Sequence, residues 1–253
     1  MIWLKSTREL ELMKAASSMV AEVIQALTKY VRPGVTTQEI EEKARTLIIE
    51  RGGRPAFKGY RGFPGDICIS INEEVVHGIP GPRRLKEGDI VSLDIGVELD
   101  RYFGDGTVTL PVGRISKEAK RLLKVTRNAL RIGIEQARPG NRLSNLSWAI
   151  QTYVEKNGYS VVRQFVGHGI GKNMHEEPAV PNFGLPDQGP RLKPGMVLAI
   201  EPMVNQGGIE VKVLSDGWTA VTCDGKLSAH FEHTVAITES GPEVLTRCRK
   251  KNL

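Results

Sequence analysis

Apolar residues recur at helical spacing over residues 7–30, where Leu10, Met13, Val20, Ile24 and Leu27 fall on one stripe and charged residues occupy the opposite face. That stripe is read as core. Ser6-Thr-Arg-Glu9 and Thr36-Thr-Gln-Glu39 are capping boxes, a hydroxyl three residues ahead of a glutamate, and they predict helices over 7–30 and 37–51. The same periodicity predicts helices over 117–137 and 144–157. From 66 to 113, and again from 160 to 238, the pattern changes to short apolar runs bounded by glycine, proline and aspartate, which read as strands. No low-complexity linker divides these blocks, so one α+β domain over 1–253 is expected.

The chain also repeats itself. Arg32-Pro33-Gly34 recurs as Arg138-Pro139-Gly140, and the same offset relates Ile40 to Leu146, Ala44 to Ile150, Ile48 to Val154 and Gly52 to Gly158. Each tripeptide follows a long helix and opens a second one that ends at a glycine. Shifted by one further residue, Leu85-Lys-Glu-Gly88 matches Leu192-Lys-Pro-Gly195, and Asp94 matches Glu201. We expect an internal duplication, approximately 7–110 and 117–238, each half laying helices over a strand that carries an acid. The period is far too long for a solenoid.

Chemistry enters where the strand-like runs end or turn. Asp94, Asp105, His168, Glu201 and Glu232 occupy such points, and four carboxylates with one imidazole suit a pair of divalent cations. Asp94 lies in Asp89-Ile-Val-Ser-Leu-Asp-Ile-Gly-Val97 and Asp105 in Tyr102-Phe-Gly-Asp-Gly-Thr-Val-Thr-Leu110, with the polar Asp100-Arg101 between. A tight turn centred on Leu99 and Asp100 would set Asp94 opposite Asp105, Cβ atoms roughly 5 Å apart. Glu201 ends Met196-Val-Leu-Ala-Ile-Glu-Pro202, and Glu232 sits in His230-Phe-Glu-His-Thr-Val-Ala-Ile237. Apolar neighbours make each acid costly to bury unpaired, so the set reads as a dinuclear metallohydrolase.

Six stretches resemble the methionine aminopeptidase family, type I, of the pita-bread fold shared with aminopeptidase P and prolidase. They are Cys68-Ile-Ser-Ile-Asn-Glu-Glu-Val-Val-His-Gly-Ile-Pro80, Asp94 to Asp105, Gly167-His-Gly-Ile-Gly171, Met174-His-Glu-Glu-Pro178, Ile200-Glu-Pro-Met203 and Phe231-Glu-His-Thr234. Their order and spacing span most of the chain. The resemblance implies helices of two pseudo-symmetric halves over a curved antiparallel sheet, and release of initiator methionine from nascent polypeptides with a small second residue. It also implies two divalent ions, Co, Mn, Fe or Zn, bridged by Asp105 and Glu232, with Asp94 completing one shell and His168 and Glu201 the other. Glu201 would handle the proton of the attacking water, His77 would contact the scissile amide, and His175 the carbonyl oxygen that becomes anionic. The methionine pocket would comprise Phe57, Tyr60, Phe63, Cys68, Met174 and Trp218. The sequence departs from the family at Phe57, where cysteine is frequent, at Phe63, where tyrosine is common, and at Met174, where an aromatic is usual. The long insertion that type II members carry between the last two glutamates is missing, as is the cysteine-bearing zinc-binding extension of some type I members.

Other features change the picture less. His230 shares the face of Glu232 in an extended chain and is read as structural; His233 points to the opposite face, where it either supports a ligand or is structural. Gly167-His-Gly-Ile-Gly-Lys172 lacks the spacing and the Ser or Thr of a phosphate loop, and His175-Glu176-Glu177-Pro178 lacks the second histidine of a helical zinc-protease motif. Two rivals share the fold: a proline-specific peptidase, which usually carries an additional N-terminal domain, and an inactive binding protein, which would have lost ligands. At 253 residues and 40% apolar the chain can bury its core without staples. Cys68, Cys223 and Cys248 form neither a disulfide framework nor a zinc-ligand spacing, Met1-Ile-Trp-Leu-Lys5 lacks a signal-peptide core, and no run is long enough to span a membrane. A cytoplasmic monomer is expected. The net charge of +6 and the tail Arg247-Cys-Arg-Lys-Lys251 suit ribosome association through RNA.

Overall fold

Helix starts are set by the two capping boxes. The structure, a computed structural model, describes residues 1–247. Helix α1 (Thr7–Tyr30) begins where the Ser6 backbone N–H donates to the Glu9 carboxylate at 2.9 Å, and α2 (Thr37–Ile49) where the Thr36 N–H donates to Glu39 at 2.7 Å. Met13, Val20 and Leu27 of the predicted stripe are fully buried, while Leu10 and Ile24 are half-buried at its edge. Helix α2 stops two residues short of the predicted end, because the chain reverses at Gly52 (φ 79°), whose conformation favours glycine.

Strands β1 (Arg54–Pro55), β2 (Cys68–Ile71), β3 (Glu74–Val76), β4 (Ile90–Leu99) and β5 (Tyr102–Pro111) follow. Helices α3 (Lys117–Gln136) and α4 (Leu143–Lys156) lie within a residue of prediction. Then come β6 (Ser160–Val161), β7 (Gly167–Gly169), β8 (Glu176–Val180), β9 (Val197–Ile200), β10 (Met203–Asn205), β11 (Val211–Val213), β12 (Ala220–Thr222), β13 (Ser228–His230), β14 (His233–Thr238) and β15 (Gly241–Val244). Strand β15 lies past the predicted limit of 238 and closes a hairpin on β14, with Thr238 opposite Gly241.

All strand pairings among the described residues are antiparallel. One sheet joins β1, β4 and β2, with β5 on β4; another runs β15-β14-β9-β7-β8; two small sheets are β13-β10-β6 and β11-β12-β3. Residues of α1 and α2 share one core with β2, β4 and β5, and residues of α3 and α4 share another with β9 and β14. A third cluster, including Met13, Phe57, Phe63, Cys68 and Met174, combines residues of both halves.

The same local geometry appears twice. Gly34 N–H donates to Leu85 O at 2.8 Å and Gly140 N–H to Leu192 O at 2.8 Å, while Leu85 N–H returns to Val35 O at 2.9 Å and Leu192 N–H to Asn141 O at 2.8 Å. Both glycines are left-handed, with φ of 91° and 88°.

The β4–β5 turn corrects a sequence expectation. It centres on Asp100 and Arg101, both left-handed at φ 51° and 68°, as a two-residue hairpin loop requires, so Leu99 pairs with Tyr102. Asp94 therefore lies opposite Thr107, not Asp105, and Asp105 lies opposite Gly96. The shift moves the pairing by two residues, which preserves the face: Asp94 and Asp105 are diagonal neighbours on one side of the sheet. The basic tail past Arg247, with Cys248, lies outside the described residues. No helix among the described residues is long and apolar enough to cross a membrane.

Candidate metal centre and side-chain pocket

Five elements deliver the five predicted ligands. Asp94 stands on β4 between Cys68 of β2 and Thr107 of β5. Asp105, on β5, is fixed by the Thr234 hydroxyl, which accepts its N–H at 3.0 Å and donates to its carbonyl at 2.7 Å, tying the first sheet to β14. Glu232 precedes β14; its N–H donates to Thr107 O at 2.9 Å, and its Oε2 accepts the Thr107 hydroxyl at 2.8 Å. Glu201 follows β9, its carbonyl accepting the Asn182 amide at 3.1 Å.

His168 is the middle residue of β7, between two glycines that the packing demands. A Cβ on Gly167 would lie 2.3 Å from Ala199 O, and one on Gly169 2.3 Å from Glu177 O. The Nδ1 of His168 donates to Gly169 O at 2.9 Å, which leaves Nε2 as a free lone pair. That Nε2 lies 3.7 Å from Asp105 Oδ2 and 3.7 Å from Glu201 Oε1, and one ligand atom each from Asp105, His168 and Glu232 fall within 4.8 Å of one another.

The electrostatics of this cluster suit cations. Asp94 Oδ1, Asp105 Oδ1 and Glu232 Oε1 are buried without a hydrogen-bond partner. Burial raises the pKa of all four acids. Asp105 is pushed well up further by Glu232, Asp94 and Glu201, Glu232 by Glu201 and Asp94, and Glu201 by Asp94. Asp94 rises less, because His230, Thr107 and Cys68 favour its charged form. Burial holds His168 down at about 4, so its approaches to the carboxylates are contacts of a neutral imidazole. Buried acids that repel one another, with orphaned oxygens and an available imidazole lone pair, fit divalent cations through N and O donors.

A cavity of about 140 Å³ opens on this cluster. Phe57, Tyr60, Phe63, Cys68 and Trp218 line it together with His77, His175 and all five predicted ligands. Met174 does not line it; it is buried beside Phe57, and a Cβ on Gly96 would lie 2.6 Å from Phe57 Cε1 and 2.9 Å from Met174 Cε. Phe63 meets Trp218 edge-on at 5.2 Å. The Cys68 thiol, raised by burial first and by Asp94 second, is a neutral wall.

His77 follows β3 in a left-handed conformation (φ 60°), its ring edge-on to Phe165 at 5.3 Å. His175 precedes β8, stacked on Tyr60 at 5.2 Å and 4.0 Å from the His168 ring. Burial lowers His77 to about 4, and burial together with His168 lowers His175 to about 3.

Three residues at the site were not singled out in the sequence. Arg61 (φ 50°) lines the cavity over the Tyr60 ring, and Phe165 supports His77; neither had a sequence signal. Thr107 had one, since alternation puts it on the face of Asp105. His230, read as structural, has its buried Nε2 3.5 Å from Glu201 Oε2. His233 instead turns away to Thr246 Oγ1 at 2.9 Å.

The chain is similar to known proteins over nearly its whole length. A family model described as metallopeptidase family M24 matches residues 11–239. The chain is 56% identical over 247 residues to methionine aminopeptidase 1 of Bacillus subtilis, covering 98% of this chain and 100% of that one. The crystal structure of methionine aminopeptidase from Thermotoga maritima matches with a TM-score of 0.96 at 46% identity, over 98% of this chain and 100% of the other. Prolidase from Pyrococcus furiosus matches at TM-score 0.79 and 24% identity, over 98% of this chain and 66% of that one, a likeness of fold alone.

Proposed function

The chain belongs to metallopeptidase family M24, and we infer that it is a methionine aminopeptidase, a metal-dependent hydrolase that releases methionine from the N-terminus of peptides. The fold is the pita-bread fold. The observation that carries the reading is a cluster of buried, mutually repelling carboxylates with orphaned oxygens, set beside a small aromatic-walled cavity.

Asp94, Asp105, His168, Glu201 and Glu232 would hold the cations, two ions of the Mn, Fe, Co or Zn class. When bound, these polarise the scissile carbonyl and make water acidic enough to attack near neutral pH. Glu201 accepts the proton of that water on a carboxylate oxygen facing the cluster. His175, neutral at ordinary pH, donates its ring N–H to the carbonyl oxygen as charge develops there, and His77 orients the scissile amide. Phe57, Tyr60, Phe63, Cys68 and Trp218 surround the methionine side chain, with Met174 packed beside Phe57. The repeated Gly34 and Gly140 geometry supports a single catalytic domain built by internal duplication.

A peptide panel tests this. Met-Ala-Ser should be cleaved well, Met-Leu-Ser poorly, and Leu-Ala-Ser and Ala-Pro-Ser hardly at all. Rapid release of leucine would reject methionine selectivity, and preference for the Ala-Pro bond would mark a proline-specific peptidase.

A further inference from the structure

A buried ion pair lies outside the metal cluster, at the first residue of β8, where the loop that carries His175 ends. Glu176, the next residue, turns its carboxylate away from the cavity. Its Oε2 accepts Lys5 Nζ at 2.6 Å, and its Oε1 accepts the Asn173 N–H at 3.1 Å. The side chains of Lys5 and Glu176 are only 5% and 6% exposed, so this is a committed pair and not a surface contact. The Lys5 ammonium also donates to Trp3 O at 3.3 Å, and the Lys5 backbone N–H to Gly195 O at 2.7 Å, so the lysine is itself held.

The loop folds directly onto this pair. A Cβ on Gly171 would lie 2.5 Å from Lys5 Cε and 2.7 Å from Glu176 Oε1. At the far end of the loop, Lys172 lies 3.4 Å from Glu9, which also accepts the Tyr102 hydroxyl at 2.9 Å. The segment ahead of α1 and the start of α1 thus fasten the loop on both sides. His175 projects from it to a position 4.0 Å from the ring of His168.

We propose that the Lys5–Glu176 pair is a clamp that sets His175 over the metal centre, so that Lys5 and Glu176 are positioning residues for peptide hydrolysis; this rests on the role given to His175 above. Burying two charges where an apolar pair would pack at less cost fits a need for a fixed direction. His175 acts on an oxygen that gains charge only in the transition state, so a displaced ring lowers turnover and leaves substrate binding nearly intact.

The test is a double-mutant cycle on metal-loaded protein. Lys5→Met and Glu176→Gln are made singly and with His175→Ala, and kcat, KM, metal content and melting temperature are measured with Met-Ala-Ser. Each single variant should lose roughly 10- to 100-fold in kcat with its metals and KM retained, the scale of a misplacement of about 1 Å. In the His175→Ala background neither should lower kcat further. If Lys5→Met does not fold, Glu176→Gln, which keeps its shape and an acceptor for Asn173, carries the cycle alone. Losses that multiply with that of His175→Ala, or full kcat in the clamp variants while His175→Ala is impaired, would overturn the clamp alone. Full kcat in His175→Ala would overturn the role of His175, and the clamp with it.

Discussion

Thr107 donates its hydroxyl to Glu232 Oε2 at 2.8 Å while Glu232 Oε1 stays buried without a partner. One oxygen is thereby fixed by the protein and the other is left for a cation, so the threonine aims the ligand. Thr107→Val, nearly isosteric, removes only that donor. It should weaken metal binding by roughly 10- to 100-fold with the fold intact. Calorimetric titration of the chelated variant with Mn²⁺ or Co²⁺ measures this, and unchanged affinity would show that Glu232 needs no such support.

His77 separates turnover from metal binding. Its left-handed backbone (φ 60°) makes asparagine the least disruptive replacement, because asparagine tolerates that conformation. His77→Asn should lower kcat by roughly 10² to 10⁴ while retaining full metal content. Near-normal turnover would show that His77 has no part in the reaction.

Removing the metals should give the protein an unusual pH dependence. Burial and mutual repulsion raise the folded-state pKa of Asp105, Glu201 and Glu232 well above the unfolded value, so without cations the fold holds protons that the unfolded chain releases. Stability from these groups is present at low pH and is lost as pH rises toward their folded values. Histidines removed from water act in the opposite sense. His77, His168, His230 and His233 at about 4 stay neutral in the fold while the unfolded chain takes up protons below pH ~6.5, so their stability is lost on acidification through that range. The chelated protein should therefore melt at a lower temperature at pH ~9 than at pH ~7.5, a range in which the histidines, about a unit or more above their unfolded value of ~6.5, contribute little. Metal-loaded protein should not show that fall. Melting scans across this range decide it, and equal slopes with and without metal would contradict the raised carboxyls.

The pocket wall makes a separate prediction. Gly96, opposite Asp105, leaves room for Phe57 and Met174, and a methyl group there would stand 2.6 Å from Phe57 Cε1. Gly96→Ala should push Phe57 toward the cavity, raise KM for Met-Ala-Ser and cost about 1–3 kcal/mol of stability. Steady-state kinetics with a parallel melt measures both effects; an unchanged KM would mean that Phe57 yields away from the substrate.

Much of this was legible in the sequence because the signals are local. Capping boxes mark the starts of α1 and α2, and the Arg-Pro-Gly repeats precede α2 and α4. The acids stood out because aspartate and glutamate at the ends of apolar strands are costly without a partner. The β4–β5 register was misplaced since polarity flagged Asp100-Arg101 as a break without revealing that both are left-handed. Arg61 and Phe165 were missed because their roles come from contacts between distant segments, and β15 because Gly-Pro-Glu-Val lacks the alternation of a strand until β14 pairs with it. His230 was assigned to structure, since chain alternation relates it to Glu232 but does not disclose its approach to Glu201.

Methionine release should require metal in the carboxylate cluster. Stepwise return of Mn²⁺ or Co²⁺ to chelated protein, with methionine release from Met-Ala-Ser followed and Glu232→Gln in parallel, measures this requirement. Activity should be absent after chelation, should return in proportion to bound metal, and should stay low in Glu232→Gln at the same metal concentrations. Full methionine release by metal-free protein would rule out a metal-dependent hydrolysis at this cluster.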